Sequence, residues 1–143
     1  MTSNDTLFPD TARELGAPMR AYRVLMVLAA LTVLLQGVWA GIFLEHDGQR
    51  DDAGGWIDVH ARGGEAAILL AAVATGLALL RLRGRRDLWF GGLGLTAVLV
   101  VESYLGGLIR DESQDALTAV HVPLALAATA LSVWLPLRAR DRR

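Results

Sequence analysis

Four long apolar stretches constrain this chain more than any other feature of its sequence. They cover residues 24–44, 57–80, 88–109 and 116–137, and each is long enough for a helix that crosses the hydrocarbon core of a bilayer, about 30 Å thick. Hydrophobic residues make up 53% of the chain, which excludes an ordinary water-soluble enzyme. We therefore predict an all-α integral membrane four-helix bundle, up-down-up-down, with a polar tail at residues 1–20 and a transmembrane domain at residues 21–143.

Arginine is strongly segregated along the chain, and lysine is absent. The arginines cluster in residues 13–23, 81–86 and 138–143, whereas the opposite loops are acidic. The positive-inside rule therefore predicts cytoplasmic termini in a cell membrane, of the bacterial inner-membrane type. Because topology and headgroup contacts explain the basic ends, the expected partner is the lipid bilayer and no nucleic acid. The lack of Cys excludes disulfides, thiolate zinc sites and iron–sulfur clusters.

The two hairpins of the predicted bundle resemble each other. Residues 35–45 align with residues 101–111, and residues 58–60 align with residues 119–121. Each hairpin ends in an arginine-rich segment. Since both enter the membrane from the same side, the sequence predicts a parallel repeat with a pseudo-two-fold axis along the membrane normal.

Two histidines lie inside the apolar stretches at equivalent repeat positions, His60 and His121. A polar side chain in hydrocarbon is costly unless it finds a partner. Helices two and four occupy diagonal corners of such a bundle, so the two imidazoles are expected to face each other near the outer side. That pattern is typical of axial ligands on the two faces of a haem iron. Two alternatives stay open: a structural pair, and a metal-ion site completed by His46 or a carboxylate.

Small residues near the histidine level would leave room for a porphyrin. The candidates for this role are Gly41, Gly64, Gly106 and Gly107, with Gly37, Ala40 and Gly63 close by. The alternative is that these residues allow helices to pack closely, as is common in membrane bundles.

A second polar pair, Gln36 and Glu102, also occupies equivalent repeat positions. A carboxyl group within a span is expected to be protonated or paired. Glu102 has three candidate roles: accepting a hydrogen bond from an axial histidine, passing protons to a quinone, or bonding Gln36 to lock the helices.

The remaining features concern the ends of the spans. Several aromatic residues lie near those ends and are predicted to be interfacial anchors, Tyr22 and Trp39 among them. The segment 1–18 is polar and contains two prolines, Pro9 and Pro18. It predicts a loose tail with at most a short surface helix at residues 10–15.

The chain resembles haem A synthase over about residues 23–138. The resemblance rests on Ile57-Asp58-Val59-His60 and Ala119-Val120-His121, which stand at that family's two histidine positions. In the family each half is a four-helix bundle with one histidine on the second helix and one on the fourth, and one half holds haem b. The chain is more closely similar to short four-span bacterial membrane proteins of unknown function, which carry Asp-x-His after the first outer loop and His-Val-Pro on the fourth helix.

Two departures limit what this resemblance implies. His60 is followed by Ala61, where the family has Arg, and the family's loop cysteines are absent. The synthase also works with two bundles, so a single bundle would lack the second site unless it formed a homodimer. The synthase activity is therefore not part of the prediction.

The function predicted from the sequence is that of a membrane-embedded haem b-binding protein with bis-histidine ligation by His60 and His121. It would transfer electrons or handle haem near the outer face, with a quinone or a membrane oxidoreductase as partner. The alternative is a non-catalytic four-span subunit or scaffold whose histidines are structural. The sequence leaves open whether the protein is an enzyme.

Overall fold

A computed structural model describes residues 9–45 and 50–140 of the chain. Within them the chain forms four long helices: α1 (Pro9–Glu45), α2 (Arg50–Arg81), α3 (Arg86–Glu112) and α4 (Thr118–Arg138), with a 3₁₀ turn at Asp115–Leu117 before α4. Each helix contains a segment long and apolar enough to cross a membrane. The predicted all-α four-helix bundle is confirmed for the described residues, and the four segments indicate a multi-pass membrane protein.

The helices form a closed ring in chain order. Each helix packs against the next one, and α4 packs back against α1. In the described part of the chain, no backbone contact joins α1 to α3 or α2 to α4, so these pairs lie on the diagonals. Short links enforce the antiparallel order; α3, for example, is capped by Ser113, which has a left-handed φ of 54° and donates its N–H to the carbonyl of Leu108. The diagonal placement of the two histidine-bearing helices agrees with the sequence prediction.

The first helix begins earlier than the sequence predicts. It starts at Pro9 and continues without a break through Pro18 to Glu45. Proline is favoured in a first turn because its missing N–H would have no partner there. At Pro18 it removes one hydrogen bond, and the helix formers on both sides continue the helix. The expectation of at most a short helix at residues 10–15 is therefore wrong.

The buried core lies toward one end of the bundle. We call this the basic end, defined by Arg81, Arg86 and Arg138, and the opposite end the acidic end, defined by Asp58 and Asp111. The largest apolar side chains that are fully buried are Tyr22, Met26, Leu88, Leu95 and Leu135. A stripe of alanines on α2, made of Ala67, Ala71, Ala74 and Ala78, is also buried. Such small residues let neighbouring helices approach closely.

The acidic end is much less tightly packed. On the four helices the buried residues nearest to it are Val33, Gly63, Glu102 and Ala128. Beyond them, none of the side chains that the structure describes is buried. Because close packing of apolar side chains is what normally fills a bundle, the described part of this end is packed more loosely than the basic end.

Tyr22 closes the basic end and is not the interfacial anchor that its position near a span end predicts. Its side chain is fully buried, and its hydroxyl donates a hydrogen bond of 3.2 Å to the carbonyl of Leu88. This bond connects α1 with the first turn of α3 across the bundle. At the same end, Asp87 accepts hydrogen bonds from Arg85 at 2.9 Å and from Arg138 at 3.2 Å, which fixes the start of α3 against the end of α4.

We expect Tyr22→Phe to lower the free energy of unfolding by about 1 kcal/mol, because the ring stays in place while a buried hydrogen bond is lost. Unfolding by SDS titration in mixed micelles measures the change. The matched control is Tyr104→Phe, since the Tyr104 side chain is 66% exposed and its loss of a hydroxyl should be neutral. Equal stability of the two variants would contradict the role given to the Tyr22 hydroxyl.

Candidate functional site

His60 lies on α2 and turns toward α1. Its side chain is half-buried, and Nδ1 is 3.2 Å from the carbonyl oxygen of Gln36. A carbonyl only accepts, so this contact favours the tautomer in which Nδ1 carries the proton and Nε2 carries the lone pair. A backbone carbonyl on Nδ1 is a common way to orient a metal-ligating histidine.

His121 lies on α4 and turns toward α3. Its Nδ1 is 2.9 Å from Oε2 of Glu102, and the two side chains are only 21% and 10% exposed. The directions of the groups do not satisfy hydrogen-bond geometry, so His121 Nδ1 and Glu102 Oε1 are buried without a hydrogen bond in the described part of the chain. An unsatisfied buried polar group costs about 1–3 kcal/mol. The 2.9 Å separation of Nδ1 and Oε2 is nevertheless within hydrogen-bonding distance.

The two histidine contacts fall at positions that the predicted repeat makes equivalent. Gln36 and Glu102 occupy equivalent positions in the alignment of the hairpins, as do His60 and His121. In each hairpin the histidine Nδ1 therefore faces an oxygen from the same position of the preceding helix. Both rings thus lie at the acidic end, each with Nδ1 near an oxygen of the preceding helix.

The candidate glycines fall into two groups. A Cβ atom at Gly106 would lie 3.7 Å from Cε1 of His121, so this residue lines the histidine ring. A Cβ atom at Gly41, Gly64 or Gly107 would meet nothing within 4 Å. These three positions therefore border open space, which close packing of helices does not explain.

Gly63 has the packing role that the sequence offered as the alternative. A Cβ atom there would collide with the ring of Trp39 and the side-chain amide of Gln36. Trp39 is thus half-buried against α2, one turn from His60, and is not simply an interfacial anchor. The signal that the sequence interpretation missed is the glycine three residues after His60, which makes room for a large side chain from α1.

We expect Gly63→Ala to destabilise the bundle by about 1–3 kcal/mol, the range typical of overpacking. Gly76→Ala on the same helix is the control, because its Cβ would meet nothing within 4 Å and alanine favours a helix by about 1 kcal/mol. SDS titration should show the two variants shifting in opposite directions. A stabilised Gly63→Ala variant would contradict the close contact with Trp39.

The predicted role of Glu102 as a lock on Gln36 is not what the structure contains. The Gln36 amide donates to the carbonyl of Thr32 on its own helix at 3.3 Å, and Glu102 lies against His121 instead. The Gln36 side chain lies beside Gly63 of α2, whereas the Glu102 side chain lies beside α4. The Asp58 carboxylate lies outside this buried contact. It is exposed and 3.9 Å from the guanidinium of Arg110 on α3.

A metal-ion site with three protein ligands finds no support in residues 9–45 and 50–140. No group of three His, Cys, Asp or Glu side chains in these segments is arranged to hold an ion. His46, the candidate third ligand, falls outside the described residues. Bis-histidine ligation of a haem needs only two protein ligands, so this finding does not bear on it.

The comparisons with known proteins add no relative. The chain matches no protein-family model, no curated protein and no solved structure.

Proposed function

We propose that this protein is a membrane-embedded haem b-binding protein in which His60 and His121 are the two axial ligands. One observation carries the proposal: in each hairpin the histidine Nδ1 faces an oxygen from the equivalent position of the preceding helix. That arrangement leaves Nε2 as the ligating nitrogen. In metalloproteins an acceptor on Nδ1 commonly sets the tautomer and the ring orientation of a ligating histidine in this way.

The surroundings of the rings fit a flat macrocycle. The acidic end has no buried side chain beyond Glu102 and Gly63 among those described. Gly106 lies against His121, and three further glycines border open space. His121 Nδ1 is 2.9 Å from Glu102 Oε2 without a well-directed hydrogen bond, and hydrogen bonds at such sites often tighten only when the ligand is bound. Apolar side chains around the site would hold the porphyrin body.

The chain's own residues would orient and tune the site. A haem supplies reversible one-electron chemistry when it is bound. The Gln36 carbonyl holds the His60 ring and selects its tautomer. Glu102 would accept a hydrogen bond from Nδ1 of His121, and its negative charge would make Nε2 of that imidazole a stronger metal ligand. The Tyr22 and Leu88 contact keeps the basic end closed, so access is from the acidic end.

The predicted membrane orientation determines which face of the membrane the histidine site is near. Under the positive-inside rule, the basic end and both termini are cytoplasmic and the histidines lie toward the outer face of a bacterial inner membrane. A single redox centre near one face needs an electron partner on that side. A quinone in the outer leaflet or a membrane oxidoreductase would serve, and a homodimer would supply a second centre.

Absorption spectroscopy of the purified protein tests the proposal. We expect protein from a haem-sufficient host to show a Soret band, a sharp α band after reduction, and one haem per chain. Magnetic resonance of the oxidised sample should give the low-spin signal of two histidine ligands. A colourless, correctly folded preparation that does not take up added haem would contradict the proposal.

The colourless outcome would favour a scaffold. The two histidine contacts each connect consecutive helices, His60 with α1 and His121 with α3, and interhelical polar contacts stabilise membrane bundles by about 1 kcal/mol. In that case His60→Ala and His121→Ala would lower stability and change nothing else.

A further inference from the structure

A groove at the basic end has properties that the histidine site does not use. It lies between α1 and α4 and has a volume of about 200 Å³. Its floor is formed by Ala30 and Pro136, which are both buried. Its walls are apolar side chains that are 40–52% exposed, namely Val27, Leu31, Val133 and Leu137.

The groove ends in two positive charges. Arg23 of α1 and Arg140, which follows α4, line it together at the same end. In the part of the chain that the structure describes, no acidic side chain pairs with either guanidinium. Other arginines at this end do have such partners, since Arg85 and Arg138 both contact Asp87. The groove thus combines an apolar channel with two arginine side chains at its mouth.

The dimensions match a membrane lipid. Arg23 and Leu31 are eight residues apart on one helix, which is about 12 Å along its axis. One leaflet of the hydrocarbon core is about 15 Å deep, half of the whole. The apolar walls therefore extend through most of one leaflet when the arginines are at the headgroup level. Guanidinium groups bind phosphate in a bidentate manner.

The geometry points to a binding site for one anionic phospholipid, with its phosphate between Arg23 and Arg140 and an acyl chain along Ala30 and Pro136. Basic pockets between helices on the cytoplasmic side are where anionic headgroups bind membrane proteins. The site does not depend on haem, and its occupancy can be measured in protein with or without a cofactor.

Native mass spectrometry with added phosphatidylglycerol tests the charged mouth of the groove. We expect wild-type protein to retain one phosphatidylglycerol and to bind phosphatidylcholine far more weakly. The double variant Arg23→Gln/Arg140→Gln should bind phosphatidylglycerol about thirtyfold more weakly, given the usual strength of each arginine near an anionic surface. Arg81→Gln/Arg83→Gln removes the same charge at the same end outside the groove and should change the affinity by less than about threefold.

A second pair of variants tests the apolar channel. Val133→Trp should fill the groove and release the lipid, whereas Val73→Trp places the same ring on an exposed face of α2, which does not line the groove, and should leave binding unchanged. Equal losses in the groove and control variants would overturn the proposal, because they would indicate only general attraction to the surface. Equal binding of phosphatidylcholine would overturn it as well.

A second copy of the chain is the competing occupant. Since the chain contains no Cys, Val133→Cys introduces a single thiol at the groove. We expect this variant to stay monomeric under oxidation in phosphatidylglycerol-containing micelles. Complete disulfide-linked dimer, with no lipid retained, would mean that another protein molecule covers the groove and would overturn the proposal.

Discussion

His60→Ala and His121→Ala are each expected to abolish stable haem binding. An axial ligand contributes more than an outer-shell partner, whose loss already weakens metal sites by roughly 10- to 100-fold. The remaining histidine would give a five-coordinate, high-spin species at most. Haem content per chain and the absorption spectrum after reduction measure the result, and circular dichroism reports whether the helices persist.

Controls separate ligation from general damage to the bundle. His46→Ala removes a histidine from the acidic loop and should leave the spectrum unchanged. Imidazole added to the His121→Ala protein should restore the low-spin spectrum, because the vacated volume next to Gly106 accepts the free ligand. A wild-type spectrum in either alanine variant would exclude that residue as a ligand. If a variant loses both haem and helicity, restoration of the low-spin spectrum by imidazole distinguishes a lost ligand from a damaged bundle.

The architecture was predictable because one requirement dominates it, the satisfaction of backbone hydrogen bonds within the membrane. Each helix in a membrane must satisfy its own backbone, so hydropathy along the chain is enough to find four spans. The short links then dictate antiparallel neighbours, and the diagonal placement of α2 and α4 follows. The start of α1 at Pro9 was missed because that segment is polar, and hydropathy carries no information on how far a helix continues beyond the membrane.

The histidine surroundings were predictable only in part. The alignment of the hairpins pairs His60 with His121 and Gln36 with Glu102, and in the structure each histidine lies beside the residue of its own hairpin that this pairing indicates. It cannot tell that His60 contacts the backbone of Gln36 while His121 contacts the side chain of Glu102. That difference depends on rotamers and on the space around Gly63, where Trp39 and the Gln36 side chain are packed. Tyr22 shows the same limit, since position near a span end does not reveal which way a ring points.

Glu102→Leu is the second change with a large expected effect, a loss of haem affinity of roughly 10- to 100-fold. The leucine keeps the volume but removes the acceptor 2.9 Å from Nδ1 of His121. Without the nearby negative charge, the oxidised state loses more stability than the reduced state, so the midpoint potential should rise. If the substitution weakens binding of oxidised haem ten times more than binding of reduced haem, the midpoint potential rises by about 59 mV for this one-electron couple. Haem titration and a redox titration measure the two effects.

Glu102→Gln distinguishes a positioning role from a purely structural one. Its amide oxygen still accepts a hydrogen bond from Nδ1, so we expect affinity near that of the wild type while the potential rises because the charge is gone. Ser103→Ala changes the adjacent, exposed position and should alter neither quantity. If Glu102→Leu weakens the bundle but leaves the potential of the bound haem unchanged, then Glu102 only connects α3 to α4 and does not act on the cofactor through His121.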